Sequence, residues 1–192
     1  MASILTLGVT SASMYYGNIN KKNKIVIADT LMDPATINEE MVSDEIITTP
    51  EIKEEKIIVY ENMTYEELVD KLNRTLSSDL TGMGYAYATY SLELGVDPYL
   101  AVAISMHETG CTWNCSYLLK ACNNVGGQKG EGCGEYKAYD TLEEGIYGFI
   151  LNIKNKYVDY GLLTAEQMNP KYAEDPMWAS KVNKYIEKIR NN

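Results

Sequence analysis

No stretch of this 192-residue chain is apolar for long enough to read as a membrane-spanning helix. Histidine occurs once, as His107, so no histidine-rich metal centre is encoded. There is no basic stripe with interleaved aromatics, which excludes the usual nucleic-acid surface. Phenylalanine is almost missing: one Phe stands against sixteen Tyr. Tyr suits a groove in which a ring face packs and the hydroxyl meets a polar ligand, and it equally replaces Phe in a half-wet core. Internal repeats are absent, and so is the strand–helix alternation of a doubly wound fold.

What is present is unevenly placed. Four cysteines, Cys111, Cys115, Cys122 and Cys133, fall in one loop-rich window. An even count predicts two disulfides and an oxidising compartment, with three pairings open. Zinc or free thiols are the alternative, although spacings of three, six and ten intervening residues do not form the paired knuckles of a zinc ribbon. The net charge of −10 is likewise local. Sixteen acids and seven bases precede Pro98, whereas eleven acids and ten bases follow from it. The acidity therefore belongs to a solvated tether and not to an acidic binding face. Residues 1–20 carry no charge and are read as a signal or anchor segment, the remnant of a longer one, or a tail. Residues 21–62 are read as a disordered acidic linker, with Ile57-Ile58-Val59-Tyr60 as a candidate strand, and 63–192 as the globular domain.

That domain reads as mostly helical. Thr64-Tyr65-Glu66-Glu67 is a capping box, and Leu68, Leu72, Leu76 and Leu80 repeat on one face of the helix it opens. A short helix over 85–94 ends at Gly95. Further boxes at Thr141-Leu142-Glu143-Glu144 and Thr164-Ala165-Glu166-Gln167 open a long helix and a short one that stops at Asn169-Pro170. Asp175-Pro176 starts a last helix with Trp178, Val182, Tyr185, Ile186 and Ile189 inward. A Gly-rich excursion after the cysteines, closed by Tyr136-Lys137-Ala138-Tyr139, supplies the only β signal of the domain. The class is α+β, mostly α.

The stretch that organises the domain runs from Asp97 to Gly110. Asp97 is an N-cap, Pro98 suits the first helical position, and Gly110 ends the helix. Leu100, Val102, Ala103, Ile104 and Met106 leave almost no polar face, so the helix is expected to be buried. Its last turn holds one carboxylate, Glu108. Burial and the negative helix end would both favour the protonated form, which is what a general acid needs. The bland alternative is a Glu turned to solvent or paired with Lys.

Ala103-Ile104-Ser105-Met106-His107-Glu108-Thr109-Gly110 resembles the catalytic-helix motif of the lysozyme-like peptidoglycan N-acetylglucosaminidases of glycoside hydrolase family 73, with Thr109 replacing Ser. Asn123-Asn124-Val125-Gly126-Gly127 resembles that family's Asn-x-Phe-Gly turn. Tyr136-Lys137-Ala138-Tyr139 and the helix after it resemble its Phe-Arg-x-Tyr segment, and Tyr172-Ala173-Glu174-Asp175-Pro176-Met177-Trp178-Ala179 resembles its closing Tyr-Ala-x-Asp-Pro-x-Tyr-Ala. The resemblance implies a lysozyme-like helical domain with a small β-lobe, cutting the glycan strands of peptidoglycan without metal or organic cofactor. It makes Glu108 the general acid and Glu131 or Glu135 the candidate second carboxylate. Tyr172 would face the acid across the cleft, while Asn123, Gly126 and Tyr139 would contact substrate or hold Glu108. Trp178 reads as core. The cysteine cluster departs from the family and reads as bracing. The location implied is extracellular or cell-surface, membrane-anchored or virion-associated. Two rivals stay open: lytic transglycosylase action with the same acid, and a non-catalytic wall-binding module of a phage or secretion apparatus.

Overall fold

Thr64 and Glu67 cap the first helix reciprocally: the Glu67 N–H donates to Thr64 Oγ1 at 3.3 Å and the Thr64 N–H to Glu67 Oε2 at 2.9 Å. The computed structural model describes residues 56–192, so the segment expected over 1–20 and the linker as far as 55 lie outside the described residues. The last residues of that linker sit on the helical body. Val59 and Tyr60 pack against the core, and the Tyr60 hydroxyl donates to Asp97 Oδ2 at 3.0 Å. The run from Ile57 to Tyr60 makes a single bridge to Met63 in place of the expected strand, because Glu61 and Asn62 turn the chain at positive φ.

Helix α1 (Tyr65–Asn73) is shorter than its leucine repeat suggested. Leu68, Leu72, Leu76 and Leu80 are all buried, but the last two come from a loop and a 3-10 turn, Ser78–Leu80. The helix stops where the Asn73 side chain accepts the Gly84 N–H at 2.8 Å. Gly84 begins α2 (Gly84–Leu94) and sits so close to α1 that a Cβ there would lie 2.6 Å from the Val69 carbonyl oxygen. It is a contact point and not merely a breaker.

Helix α3 (Pro98–Thr109) is capped by Asp97, whose Oδ1 accepts the Leu100 N–H at 3.0 Å. Every residue from Pro98 to Met106 is buried, as the absence of a polar face requires. Helix α2 covers one side of it, and the last helix, α7 (Trp178–Asn191), packs along it most extensively. Between them in sequence come α4 (Tyr117–Cys122), an antiparallel hairpin of β1 (Gly132–Cys133) and β2 (Tyr136–Lys137), α5 (Leu142–Lys156), a 3-10 turn and α6 (Ala165–Tyr172). In α5 the expected box is half formed: Thr141 Oγ1 accepts the Glu144 N–H, while the Glu144 carboxylate takes the Asp140 N–H instead. Ile146, Phe149, Ile150 and Ile153 of α5 face the core. Helix α6 continues through Pro170 to Tyr172. Asn169 steadies it by donating to the Asp175 carbonyl at 2.9 Å and accepting the Ala179 N–H at 3.1 Å.

All four cysteines are paired. Cys111–Cys115 closes a short loop directly after α3, and Cys122–Cys133 ties the end of α4 to β1. Among the described residues no helix is long and apolar enough to cross a membrane.

Candidate active site

Helix α3 ends at Gly110, whose left-handed backbone (φ 64) turns the chain into the disulfide loop. Thr109 is buried there, and its hydroxyl donates back to the Ser105 carbonyl at 2.6 Å. Glu108 is about 100° around the helix from Thr109 and comes out on the open side. It is exposed, which corrects the expectation of a dry carboxyl: the helix is buried, but its last turn surfaces in the wall of a groove. No Lys or Arg among the described residues pairs with it.

The groove has a volume of about 610 Å³. One side is the end of α3 with Glu108 and Thr109, and the floor is the turn Asn124-Val125-Gly126-Gly127. The far edge comes from the hairpin and from α5, through Lys129, Tyr136, Lys137 and Lys156; Tyr157 and Tyr172 close the end. Glu108 is the only carboxylate among these lining residues, against three lysines.

A buried indole holds Glu108. Trp178 Nε1 donates to Glu108 Oε1 at 3.1 Å, and the indole is 2 % exposed. Tyr172 stacks on Trp178, with ring centroids 4.3 Å apart and planes 23° apart, and Tyr157 leans on Tyr172 at 5.4 Å. Burial first, then the neighbouring Glu108 charge, pushes the Tyr172 phenol far above its ordinary range, so it stays a neutral hydroxyl. The expectation for Trp178 as core was correct but incomplete. A buried indole N–H must find an acceptor, and that requirement was the available signal.

The floor is fixed by Asn124, which the sequence placed in the turn without a role of its own. Its amide is 1 % exposed and fully used, donating to the Gln128 and Lys137 carbonyls at 3.0 and 2.9 Å while accepting the Gln128 N–H at 2.9 Å. Gly126 lets the turn lie against α5, since a Cβ there would meet the Phe149 ring at 2.2 Å. Asn123 and Tyr139 stand behind the floor and do not line the groove. Asn123 Nδ2 donates to the Tyr139 carbonyl at 2.9 Å, and the Tyr139 hydroxyl to Gln128 Oε1 at 2.6 Å. Glu131 and Glu135, on either side of β1, are both exposed and outside the lining. Glu135 pairs with Lys129 at 3.3 Å. Among the described residues no group of His, Cys, Asp and Glu is assembled to hold a metal ion.

Such a groove, with one carboxyl group oriented by a neutral donor and tyrosines at its end, has the equipment to deliver a proton to an uncharged ligand. Comparisons with known proteins bear on which ligand. Residues 84–191 match the glucosaminidase family model, described as mannosyl-glycoprotein endo-beta-N-acetylglucosaminidase. No curated relative matches the chain. Crystal structures of S. aureus autolysin E are similar in fold at 20 % identity and a TM-score of 0.53. They include a catalytic mutant with the disaccharide NAG-NAM and a complex with the muropeptide NAM-L-Ala-D-iGlu. In both of these, 67 % of this chain and 67 % of that one are covered.

Proposed function

The chain belongs to the glucosaminidase family of glycoside hydrolases, and from that premise we propose that it cleaves the glycan strands of peptidoglycan at the cell wall, with Glu108 as general acid. One observation carries the assignment: among the described residues Glu108 is the sole carboxylate lining the groove, and the Trp178 indole N–H fixes its Oε1. That leaves Oε2 to carry the proton. In the reaction the proton passes from Glu108 to the glycosidic oxygen, the C1–O bond breaks, and positive charge develops at C1 and the ring oxygen. Water then adds at C1 and returns a proton to the carboxylate. The free groove is open, so the bound strand itself excludes water from the carboxyl. Autolysin E, which shares the fold, is crystallised with NAG-NAM, and that supports the substrate class.

Glycosidases commonly use a second carboxylate about 5–10 Å from the first. Among the described residues none lines this groove, which favours assistance from the substrate's own N-acetyl group. The same observation keeps a second reading in play, in which the muramic 6-hydroxyl adds in place of water, as in a lytic transglycosylase. The test is a digest of purified peptidoglycan with products identified by mass. Reducing-end sugars report hydrolysis, and anhydro-muramic ends report the second reading. Glu108→Gln keeps the shape and the Trp178 contact but lacks the proton, so release of either product should fall about a hundredfold or more. Undiminished release by that variant would refute the assignment.

A further inference from the structure

Trp113 is 93 % exposed, more than any other large apolar residue among those described. It is held by a rigid loop. The Cys111–Cys115 bond closes the loop beneath it, and both cysteines are buried, at 0 and 4 %. The Trp113 N–H donates to the Gly110 carbonyl at 3.2 Å, the Ser116 N–H to the Thr109 carbonyl at 2.7 Å, and the Ser77 hydroxyl to the Cys111 carbonyl at 3.0 Å. Lys120 bonds the Asn114 side chain. The two ends of the loop, Thr109 and Ser116, both line the groove. An indole is thus displayed on a braced loop whose two ends reach the groove that Glu108 lines.

We infer that Trp113 is an outer sugar platform, on which a pyranose ring of the glycan strand stacks after leaving the groove. The inference rests on the proposed substrate class and extends it to a subsite. The surroundings select the occupant. A protein or membrane partner needs a broad apolar patch. Here the ring is flanked in the chain by the exposed polar residues Thr112 and Asn114, and the Thr112 hydroxyl is bonded to that of Tyr185 at 3.1 Å. A pyranose has the complementary form, an apolar C–H face edged by hydroxyls. Bracing lowers the ordering cost of binding, which is what a disulfide under an exposed aromatic achieves.

The chain has two tryptophans, and Trp178 is buried, so acrylamide quenching of fluorescence reports Trp113. The probes are a GlcNAc–MurNAc disaccharide and an octasaccharide from the same wall, titrated into the non-cleaving Glu108→Gln chain. The octasaccharide is expected to shield Trp113 from acrylamide. Adding Trp113→Ala should weaken its binding about five- to tenfold, leave disaccharide affinity unchanged, and be largely rescued by Trp113→Tyr. Unaltered quenching at saturating octasaccharide, or equal octasaccharide affinity with Ala at 113, overturns the inference. Shielding in a protein whose wild type releases no fragments would keep the platform and sink the catalytic reading; fragment release without shielding would do the reverse.

Discussion

Gly145→Ala sets local propensity against packing. Gly145 lies in the first turn of α5, where Ala is favoured over Gly by about 1 kcal/mol in a helix. By propensity alone the variant would be more stable. In the structure a Cβ at 145 would stand 1.8 Å from the Asn123 carbonyl oxygen and 3.6 Å from the Tyr139 ring. The first obstacle is backbone, and it would have to retreat by roughly an ångström or more. Asn123 is already left-handed at φ 52 and is bonded to the Tyr139 carbonyl, so the turn under the groove has little room to yield. Overpacking of this kind costs about 1–3 kcal/mol, the upper end applying where backbone must move. The expected net is a loss near 2 kcal/mol, or a fall in Tm of roughly 7 °C for a domain of this size. Urea denaturation measures it directly, with Asn155→Ala, an exposed site on the same helix, as the control expected to gain a few tenths of a kcal/mol. A Gly145→Ala protein as stable as its parent would show that α5 does not press on the Asn123 turn.

Trp178→Phe keeps a ring against Tyr172 but removes the N–H donated to Glu108. With hydrogen bonds to charged groups near 1.5–3 kcal/mol and Glu108 partly hydrated, kcat should fall about tenfold with KM little changed. Steady-state kinetics on soluble glycan fragments decides, and an unaltered kcat would mean that the indole does not orient the acid. At alkaline pH the tyrosines dominate. Tyr60, Tyr90 and Tyr172 are held above their ordinary range, burial being the first cause in each. The native state keeps these phenolic protons longer than the unfolded chain does. Stability from this source is therefore complete below about pH 10 and drains away as pH rises beyond it. Tyrosinate absorbance and unfolding should rise together, and ionisation of all the tyrosines near pH 10 in a still-folded protein would contradict this.

The helices were legible where their ends are chemical. Thr64, Asp97 and Thr164 cap as their sequence context suggests, and Gly95 and Gly110 stop their helices in the left-handed conformation. The end of α1 was not legible, because it depends on Asn73 reaching Gly84 in the next helix. The same limit governed the site. A uniformly apolar helix ending in one carboxylate drew attention to Glu108, but its exposure depends on what α4, the hairpin and α5 leave uncovered. Sixteen tyrosines left groove and core open as readings, and both occur. Tyr157 and Tyr172 line the groove, whereas the Tyr85 and Tyr90 hydroxyls donate to Glu143 at 3.1 and 3.0 Å in the half-wet packing of α2 on α5. The Trp178 contact spans 70 residues, and no local pattern encodes it.

Lys129, Lys137 and Lys156 line one concave edge, Lys129 with Glu135 beside it, on a chain of net charge −10. A polyanionic strand would be attracted at this edge. Encounters of such a strand with the described residues would then be biased toward the groove, and added salt would blunt the bias before it disturbed any contact made after docking.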